Sequence, residues 1–262
     1  MSSHSPPKFW VIIPAAGIGS RMQADKPKQY LQIDNKAILE HTLDCFLERA
    51  EFDDVYVGIS EQDIYFEEYG LHLKKGIKTF NGGEERADTV LNGLSYLSDK
   101  AKAEDWVWVH DAARPCLSNA DINLLLEELK QAGPGLVLGV PVADTLKRVS
   151  RSTGCKYLPE ISSTVDRTDL WRAMTPQVFR YADLKEALEY CRREGELVTD
   201  EASALEKIGK TALMVHGSEQ NIKVTLPIDL IKVKDHLDIE KKHKNQDASN
   251  NKTTSVWKEA AL

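Results

Sequence analysis

Apolar runs alternate with amphipathic segments along most of the chain. Short apolar runs bounded by turn residues are typical of buried strands, and apolar residues that recur every three to four positions are typical of helices. The pattern predicts strands at 9–14, 54–60, 77–83, 106–111 and 135–142, and helices between them at 37–50, 61–74, 85–97 and 121–133, the last ending on Gly133. Repeated strand–helix units predict an α/β fold with a mostly parallel sheet and helices on both faces.

The alternation stops near residue 143. Residues 143–169 are polar and β-prone, with a Ser-Thr-Gly turn in the middle, which favours a β-hairpin that projects from the domain as an arm. The pattern then predicts helices at 181–194 and 199–208, strands at 211–217 and 221–225, and a last helix from Pro227 to about His243. The expected layout is an extension over 1–8, a single domain over 9–242, and a disordered tail over 243–262, which is rich in Asn, Ser, Thr and Lys.

Charge and composition narrow the classes of partner. The chain of 262 residues carries a net charge of −7, so a broad surface for nucleic acid or for an anionic membrane is not expected. An anionic substrate must then be bound by a local cluster of Arg and Lys. No apolar run approaches the roughly 18 to 20 residues of a membrane span, and the N-terminus lacks the features of a signal peptide. The four cysteines form no CxxC pair, which favours reduced structural thiols in a cytoplasmic protein over disulfide or zinc roles.

The stretch VIIPAAGIGSRMQADKPKQY, residues 11–30, runs from a predicted strand into a glycine loop with cations behind it. The third glycine of GxGxxG is missing and no acidic residue closes a second strand, so a dinucleotide site is weakly supported. The ATPase signature GxxxxGK[ST] is absent as well. What remains is a loop whose backbone N–H groups could surround a phosphate, with Arg21 and Lys28 beside it. A plain strand-to-helix turn is the alternative, although such a turn needs neither cation.

Two further stretches end predicted strands with polar residues. In FNGGEERADTV, 80–90, a turn precedes a helix that begins near Glu84 and Glu85, and the sequence leaves a binding loop and a plain turn equally open. In VWVHDAARP, 107–115, Asp111 stands where it could hold a ribose hydroxyl or Mg²⁺, or pair structurally with Arg114. His110 has no metal-ligand spacing to another His, so it is expected to be a packed strand-end residue.

The later polar residues are individually weak signals. TDEAS predicts a helix start with Thr199 as its cap and acidic residues in the first turn. The nucleophile signatures GxSxG and HExxH are absent, and no Cys/His signature occurs. A phosphate loop, several cations and a carboxylate suited to Mg²⁺ favour phosphoryl or nucleotidyl transfer, in which catalysis consists of positioning and charge stabilisation.

Taken together and in order, the motifs resemble those of the 2-C-methyl-D-erythritol 4-phosphate cytidylyltransferases, CTP-dependent enzymes of non-mevalonate isoprenoid synthesis. The motifs are PAAGxGxRM…PKQY, GGxERxDTV, VHDAARP, DTxKR, TVDR, TPQxF, TDEAS and NIKVT, and the likeness runs from about residue 9 to 240. Any one motif is modest, but eight in register are specific. Departures are Glu84 and Thr89, where Asp and Ser are frequent, and Leu226-Pro227-Ile228-Asp229, where Arg-Pro-Glu-Asp is usual.

The resemblance implies a Rossmann-like homodimer in which each subunit extends its β-arm across the neighbour, with CTP, Mg²⁺ and 2-C-methyl-D-erythritol 4-phosphate in the site. A ribitol 5-phosphate cytidylyltransferase and a catalytically silent nucleotide-binding protein are the alternatives. By motif, the catalytic set is Arg21, Lys28, Arg167 from the partner's arm, and Lys223. The residues expected to bind substrate are Ala15, Ala16, Gly17, Gly83, Thr89, Asp111, Arg114, Thr145, Thr175 and Thr199, with Asp111 also the expected metal contact.

Overall fold

The structure is a computed structural model that describes residues 5–17, 26–150 and 158–242. Its strands are β1 (Phe9–Pro14), β2 (Gln32–Ile33), β3 (Lys36–Ala37), β4 (Val55–Ile59), β5 (Ile77–Asn81), β6 (Trp106–Val109), β7 (Gly135–Pro141), β8 (Leu146–Ser150), β9 (Glu160–Val165), β10 (Trp171–Arg180) and β11 (Leu213–His216). Its helices are α1 (Ile38–Leu47), α2 (Tyr65–Glu68), α3 (Arg86–Tyr96), α4 (Asn119–Glu128), α5 (Tyr181–Glu194), α6 (Glu201–Lys207) and α7 (227–242).

Seven strands form one sheet in the order β11-β7-β10-β6-β1-β4-β5. The pairs β1–β4, β1–β6, β4–β5 and β7–β11 are parallel, whereas β10 runs antiparallel to both β6 and β7. The sheet is therefore parallel apart from one internal strand, and the predicted α/β fold with a mostly parallel sheet is confirmed.

Side chains of the central strands alternate between two hydrophobic cores. Val11 and Ile13 of β1 belong to the core that includes residues of α1 and α4, whereas Trp10 and Ile12 belong to the core that includes residues of α3 and α5. Successive residues of a strand point to opposite faces, so a strand buried on both faces is apolar throughout. This explains why β1 and β6 read as continuous apolar runs, and it confirms the expected helices on both faces.

Four local predictions are wrong. The helix expected at 61–74 is only α2 and a short 3-10 turn, Leu71–Leu73, because Gly70 adopts a left-handed conformation with φ of 66° between them. α4 ends at Glu128 and not at Gly133, since i to i+3 hydrogen bonds tighten the chain after Leu129. Residues 221–225 form no strand, because Val224 bonds to the carbonyl of the loop residue Ala113. The strand β10 was not predicted.

The polar segment at 143–169 forms the expected hairpin. β8 and β9 pair antiparallel from Leu146–Val165 to Ser150–Glu160, and residues 151–157 between them lie outside the described residues. The role of this arm in dimerisation stays a prediction, and the tail at 243–262 also lies outside the described residues. Over the part of the chain that the structure describes, no helix has the length and apolar character needed to cross a membrane.

Candidate active site

A cavity of about 380 Å³ opens at the carboxyl ends of the central strands. Open α/β sheets bind ligands at this edge because the loops that follow neighbouring parallel strands converge there. The volume lies at the lower end of the range for small-molecule sites, roughly 300 to 1,000 Å³. Eight of the predicted site residues line it, namely Ala15, Ala16, Gly17, Lys28, Gly83, Thr89, Asp111 and Lys223.

The turn after β5 approaches the loop after β1 closely, and residues of both line the cavity. The role of FNGGEERADTV as a binding loop stays a prediction. A Cβ added at Gly82 would stand 2.4 Å from the Cβ of Ala16, and one at Gly83 would stand 2.3 Å from the Cβ of Asp88. Only glycine allows backbone to approach so closely at these positions. Thr89 shapes the same turn, because its Oγ1 accepts the N–H of Gly83 at 2.9 Å.

Gln29 fixes the start of the glycine loop, a role that the sequence did not reveal. Its buried amide Nε2 donates to the carbonyl oxygens of Ala15, at 2.8 Å, and Gly17, at 3.1 Å. Residues 18–25, which include Arg21, lie outside the described residues. The backbone that enters the loop is therefore tied to the residue that follows the catalytic candidate Lys28.

We expect Gln29→Met to lower the free energy of unfolding by about 1 to 3 kcal/mol, because two carbonyl oxygens lose their donor while side-chain volume is retained. Urea denaturation measures the change. Gln32→Met is the matched control, since Gln32 is exposed on β2 and its replacement should change stability by no more than about 0.5 kcal/mol. Equal effects of the two substitutions would contradict the anchoring role of Gln29.

An aromatic cluster fixes the short turn that carries Lys28. Lys28 begins a 3-10 turn, Lys28–Tyr30, and the ring of fully buried Tyr30 packs between those of Tyr65 and Tyr69. The hydroxyl of Tyr30 donates to Asp63 at 2.6 Å, and the Nζ of Lys28 donates to the carbonyl of Val224 at 3.2 Å. The ammonium group is thus held at the wall of the cavity by rigid surroundings.

Asp111 lies immediately beyond β6 at the centre of a charge cluster. Its Oδ1 accepts from Arg86 at 3.1 Å, and its Oδ2 contacts Arg114 at 3.1 Å and Lys223 at 2.9 Å. Burial raises the pKa of Asp111, but Arg86, Lys223 and Arg114 more than offset it, so the pKa lies well below the usual range. The Asp111–Arg114 pair considered from the sequence exists, but as one part of a cluster that faces the cavity.

Arg86 links this cluster to a second buried carboxylate. Its Nη1 and Nη2 donate to the two oxygens of Glu201 at 2.6 and 3.1 Å. Glu201 is fully buried at the start of α6, where Asp200, and not the predicted Thr199, is the N-terminal cap. Neither Arg86 nor Glu201 was assigned a role from the sequence. They stand 115 residues apart, so only the motifs GGxERxDTV and TDEAS gave any signal of them.

His110 is packed in the core as expected and sets the orientation of Thr175. A carbonyl oxygen only accepts, so the contact of 3.0 Å between His110 Nε2 and the carbonyl of Arg114 places the proton on Nε2. His110 Nδ1 is then the acceptor for the hydroxyl of Thr175, at 3.0 Å. The same hydroxyl oxygen accepts the N–H of Asp111 at 3.0 Å. This chain of hydrogen bonds requires the neutral imidazole.

Burial lowers the pKa of His110 from 6.5 to about 4. Between these values the unfolded chain binds a proton that the folded chain does not, so this group makes stability fall as the pH decreases. We expect this group to lower the free energy of unfolding of the native protein by about 2 kcal/mol between pH 7 and pH 5. His110→Gln, which can still accept from Thr175 and donate to Arg114, should lack that loss. Denaturation curves at both pH values test this, and an identical pH dependence of both proteins would contradict it.

A smaller adjoining cavity of about 200 Å³ brings together three of the six remaining predicted residues. It shares Arg86, Asp111 and Lys223 with the first cavity and adds Arg114, Thr175 and Thr199. Thr145 and Arg167 line neither cavity in the described part of the chain. Both are exposed near the base of the hairpin, where Arg167 donates to the carbonyls of Val142, at 3.1 Å, and Ala143.

Asp111 suits a protein-held metal ion poorly in this arrangement. Both of its oxygens already contact cationic side chains, and a divalent cation there would stand beside three positive groups. Among the described residues, no three or more His, Cys, Asp or Glu side chains are grouped to hold a metal. The contact between Asp111 and a metal stays a prediction. In the structure Asp111 forms ion pairs with the side chains of Arg86, Arg114 and Lys223.

Comparisons with known proteins agree on one family. The sequence profile of 2-C-methyl-D-erythritol 4-phosphate cytidylyltransferase matches residues 9–238. Proteins of that name are 49% identical over 225 residues in Alteromonas mediterranea, covering 86% of this chain and 90% of that protein, and 45% identical over 233 residues in Vibrio vulnificus, covering 89% and 96%. The crystal structure of the Francisella tularensis enzyme superposes with a TM-score of 0.73 at 38% identity, covering 87% of this chain and 99% of that one. A crystal structure of a 4-diphosphocytidyl-2C-methyl-D-erythritol synthase gives a TM-score of 0.74 at 37% identity, covering 88% of this chain and 100% of that one.

Proposed function

The chain belongs to the 2-C-methyl-D-erythritol 4-phosphate cytidylyltransferase family, and from this membership we propose that it transfers CMP from CTP to 2-C-methyl-D-erythritol 4-phosphate. The products are 4-diphosphocytidyl-2-C-methyl-D-erythritol and pyrophosphate, in non-mevalonate isoprenoid synthesis. The observation that carries the proposal is the paired cavity itself, which joins a glycine-rich nucleotide loop to a cluster of cations around Asp111.

The reaction begins with an anionic nucleophile, so the site needs no general base. The second pKa of a phosphomonoester is about 6, and the acceptor phosphate is therefore mostly a dianion at neutral pH. One of its oxygens attacks the α-phosphorus of CTP in line, a new P–O bond forms, and the bond to the pyrophosphate leaving group breaks. This chemistry agrees with the absence of a nucleophile signature in the sequence.

The obstacle to this reaction is repulsion between two anions. Lys28 lines the larger cavity, which is proposed to hold the nucleotide, and Lys223 lines both cavities. Fixed positive groups at these places offset the charge that builds up on the α-phosphate and the leaving group. Arg114 and the hydroxyl-bearing Thr199 suit the acceptor phosphate in the smaller cavity, whereas Thr175 lines that cavity but donates its hydroxyl proton to His110. Arg21 belongs to the proposed catalytic set by its place in the motif.

Mg²⁺ enters the proposal with the nucleotide. Magnesium ions bind triphosphates through phosphate oxygens and usually keep several waters, so a dedicated protein cage is not required. CTP is accordingly proposed to react as its magnesium complex, in which the ion neutralises charge on the phosphates. Support comes from the substrate chemistry and from the loops that surround the cavity, not from a carboxylate cage.

The proposed homodimer places Arg167 of one subunit in the site of the other. Support comes from the family and from the position of Arg167, which lines neither cavity of its own chain among the described residues. In a hybrid of Lys28→Ala and Arg167→Ala subunits, one of the two sites would then carry both native residues. Each variant alone is expected to be nearly inactive. After full subunit exchange about a quarter of all sites carry both native residues, so we expect about a quarter of the native activity. Verified exchange with no rescue would contradict the arrangement in trans.

The proposed activity is tested by pyrophosphate release from CTP and Mg²⁺ with three acceptor conditions. We expect rapid release with 2-C-methyl-D-erythritol 4-phosphate, and release at least about 100-fold slower with ribitol 5-phosphate or with no acceptor. A preference for ribitol 5-phosphate would assign the alternative cytidylyltransferase activity. No release with either acceptor would favour the catalytically silent alternative.

A cytoplasmic location is part of the same proposal. Cys45, Cys116 and Cys191 are free thiols, and burial raises the pKa of each, to about 12 for Cys45. Buried thiols that form no disulfide fit a reducing compartment. Alkylation in denaturant of protein trapped in acid directly from cell extract, followed by mass spectrometry, would report their redox state, because unfolding exposes the buried thiols.

A further inference from the structure

Arg86 occupies the junction of the two cavities, and its guanidinium contacts two carboxylates at once. One nitrogen, Nε, donates to Asp111, and the other two donate to both oxygens of Glu201. Opposing effects act on its pKa, since burial lowers it and the carboxylates raise it, and the net result is a pKa above the ordinary value. Arg86 therefore stays charged while it bridges the end of β6 and the start of α6.

Glu201 is a rigid anchor for this bridge. It is fully buried, and the backbone around it is fixed by the amide of Gln177, which donates to Asp200 at 2.8 Å and accepts from the N–H of Ala202 at 3.0 Å. A second set of hydrogen bonds joins Asp200 and Ser203 within the same turn. Arg86 thus approaches Asp111 from a fixed support.

The contact with Arg86 leaves Asp111 with one orientation. A terminal carboxylate turns easily about its last side-chain bond unless neighbouring groups hold it. Arg86 donates to Oδ1 of Asp111, so Oδ2 is directed to Arg114 and Lys223. Arg114 is also held by the carbonyl of Asn221, at 2.7 Å, but the contacts of Arg114 and Lys223 with Asp111 depend on the orientation that Arg86, the first residue of α3, gives to that carboxylate.

We propose that Arg86 is a positioning residue for acceptor binding, which orients Asp111 and, through it, Arg114 and Lys223. The inference rests on the proposed cytidylyltransferase function. The nucleotide loop, at Ala15, Gly17 and Gly83, is held by Gln29, Thr89 and close backbone packing, independently of Arg86. Loss of the Arg86–Asp111 contact should consequently weaken the binding of the acceptor phosphate more than the binding of CTP.

Two variants separate this role from a purely structural one. Arg86→Lys keeps a positive charge beside buried Glu201, but a lysine lacks the fork that reaches both carboxylates. Glu201→Gln weakens the same bridge from its other end and leaves the Arg86–Asp111 contact in place. Both variants are expected to lower thermal stability by similar amounts. A difference between their KM values would therefore reflect positioning and not stability.

Steady-state kinetics are measured with the full chain, at a temperature where circular dichroism shows both variants folded. We expect Arg86→Lys to raise the KM for 2-C-methyl-D-erythritol 4-phosphate about tenfold, the size of one lost charged hydrogen bond, with the KM for CTP changed less than about threefold. Glu201→Gln should raise the KM for the acceptor by a smaller factor, about threefold, because Arg86 loses part of its support but keeps its own contact with Asp111, and it should leave the KM for CTP unchanged. If Arg86→Lys fails to fold, the paired variant Arg86→Gln with Glu201→Gln, which leaves no unpaired buried charge, takes its place with the same expected KM split.

The native enzyme is the reference that separates the two proposals. If it shows no acceptor-dependent pyrophosphate release, the proposed function fails before Arg86 is tested. If it is active and Arg86→Lys leaves the acceptor KM unchanged, or raises both KM values equally, the positioning role is overturned. The role is equally overturned if Glu201→Gln raises the acceptor KM as much as Arg86→Lys does.

Discussion

Lys28→Ala is expected to lower kcat by about 10² to 10³ at saturating substrates, because it removes one preorganised positive group from the site where charge develops. The structure places Lys28 at the wall of the larger cavity, on a short turn fixed by buried Tyr30. Pyrophosphate release measures the effect. The unfolding free energy should change little, since the Nζ contact with the carbonyl of Val224 is partly exposed.

Lys26→Ala is the matched control for this prediction. Lys26 lies two residues earlier and donates to the hydroxyl of Tyr69 at 2.6 Å, and it does not line the described cavity. We expect its replacement to lower kcat less than about fivefold, since no substrate-facing charge is lost. A loss below about fivefold for Lys28→Ala, or equal losses for the two variants, would contradict the catalytic role of Lys28.

Asp111→Asn is expected to lower kcat/KM by at least about 10², since it leaves the cations Arg86, Arg114 and Lys223 close together without their common carboxylate. The free energy of unfolding should fall by about 3 kcal/mol, in the lower part of the range for breaking a buried ion pair. The effect is at the low end because Arg86 still forms its ion pair with Glu201. Kinetics and urea denaturation at neutral pH measure the two effects. Near-native activity together with near-native stability would contradict the cluster's role.

The acid side gives a second test of Asp111. Its pKa in the folded state lies below its unfolded value of 3.8, so the folded chain binds fewer protons there. The stability that Asp111 contributes is therefore fully present above about pH 4 and is lost as the pH falls toward the folded pKa. The native protein should lose stability more steeply than Asp111→Asn below pH 4. Equal slopes in that window would show that Asp111 is not stabilised in its charged form.

The parallel part of the sheet could be predicted because burial on both faces leaves a strong signal. β1 and β6 are continuous apolar runs, and Asp111 could be placed at a strand end from that signal alone. The antiparallel β10 gave no such signal. Its sequence, WRAMTPQVFR, contains Pro176, which has no N–H to donate and argues against an internal strand. The structure accommodates it with a register shift between Ala173 and Gln177.

The candidate site could be predicted only where a strand end or a motif indicated it. Lys28, Asp111 and Lys223 were found through motifs and do meet in space. Gln29 and Glu201 were missed because their roles depend on partners that local pattern does not reveal. Gln29 holds backbone carbonyls 12 and 14 residues earlier, and Glu201 is paired across 115 residues. A buried polar residue that bonds to distant backbone or to a distant charge leaves no periodicity in the sequence.

In the proposed reaction the acceptor phosphate itself attacks the α-phosphorus of CTP, and every role assigned to the site depends on this step. The most direct test uses 2-C-methyl-D-erythritol 4-phosphate labelled with ¹⁸O in its phosphate, with CTP, Mg²⁺ and the native protein, followed by ³¹P NMR. Direct attack predicts a diphosphate product in which both phosphorus signals show the isotope shift, because the bridging oxygen is labelled, and pyrophosphate free of label. Formation of CMP with the label still in unreacted acceptor, or label in pyrophosphate, would contradict the account.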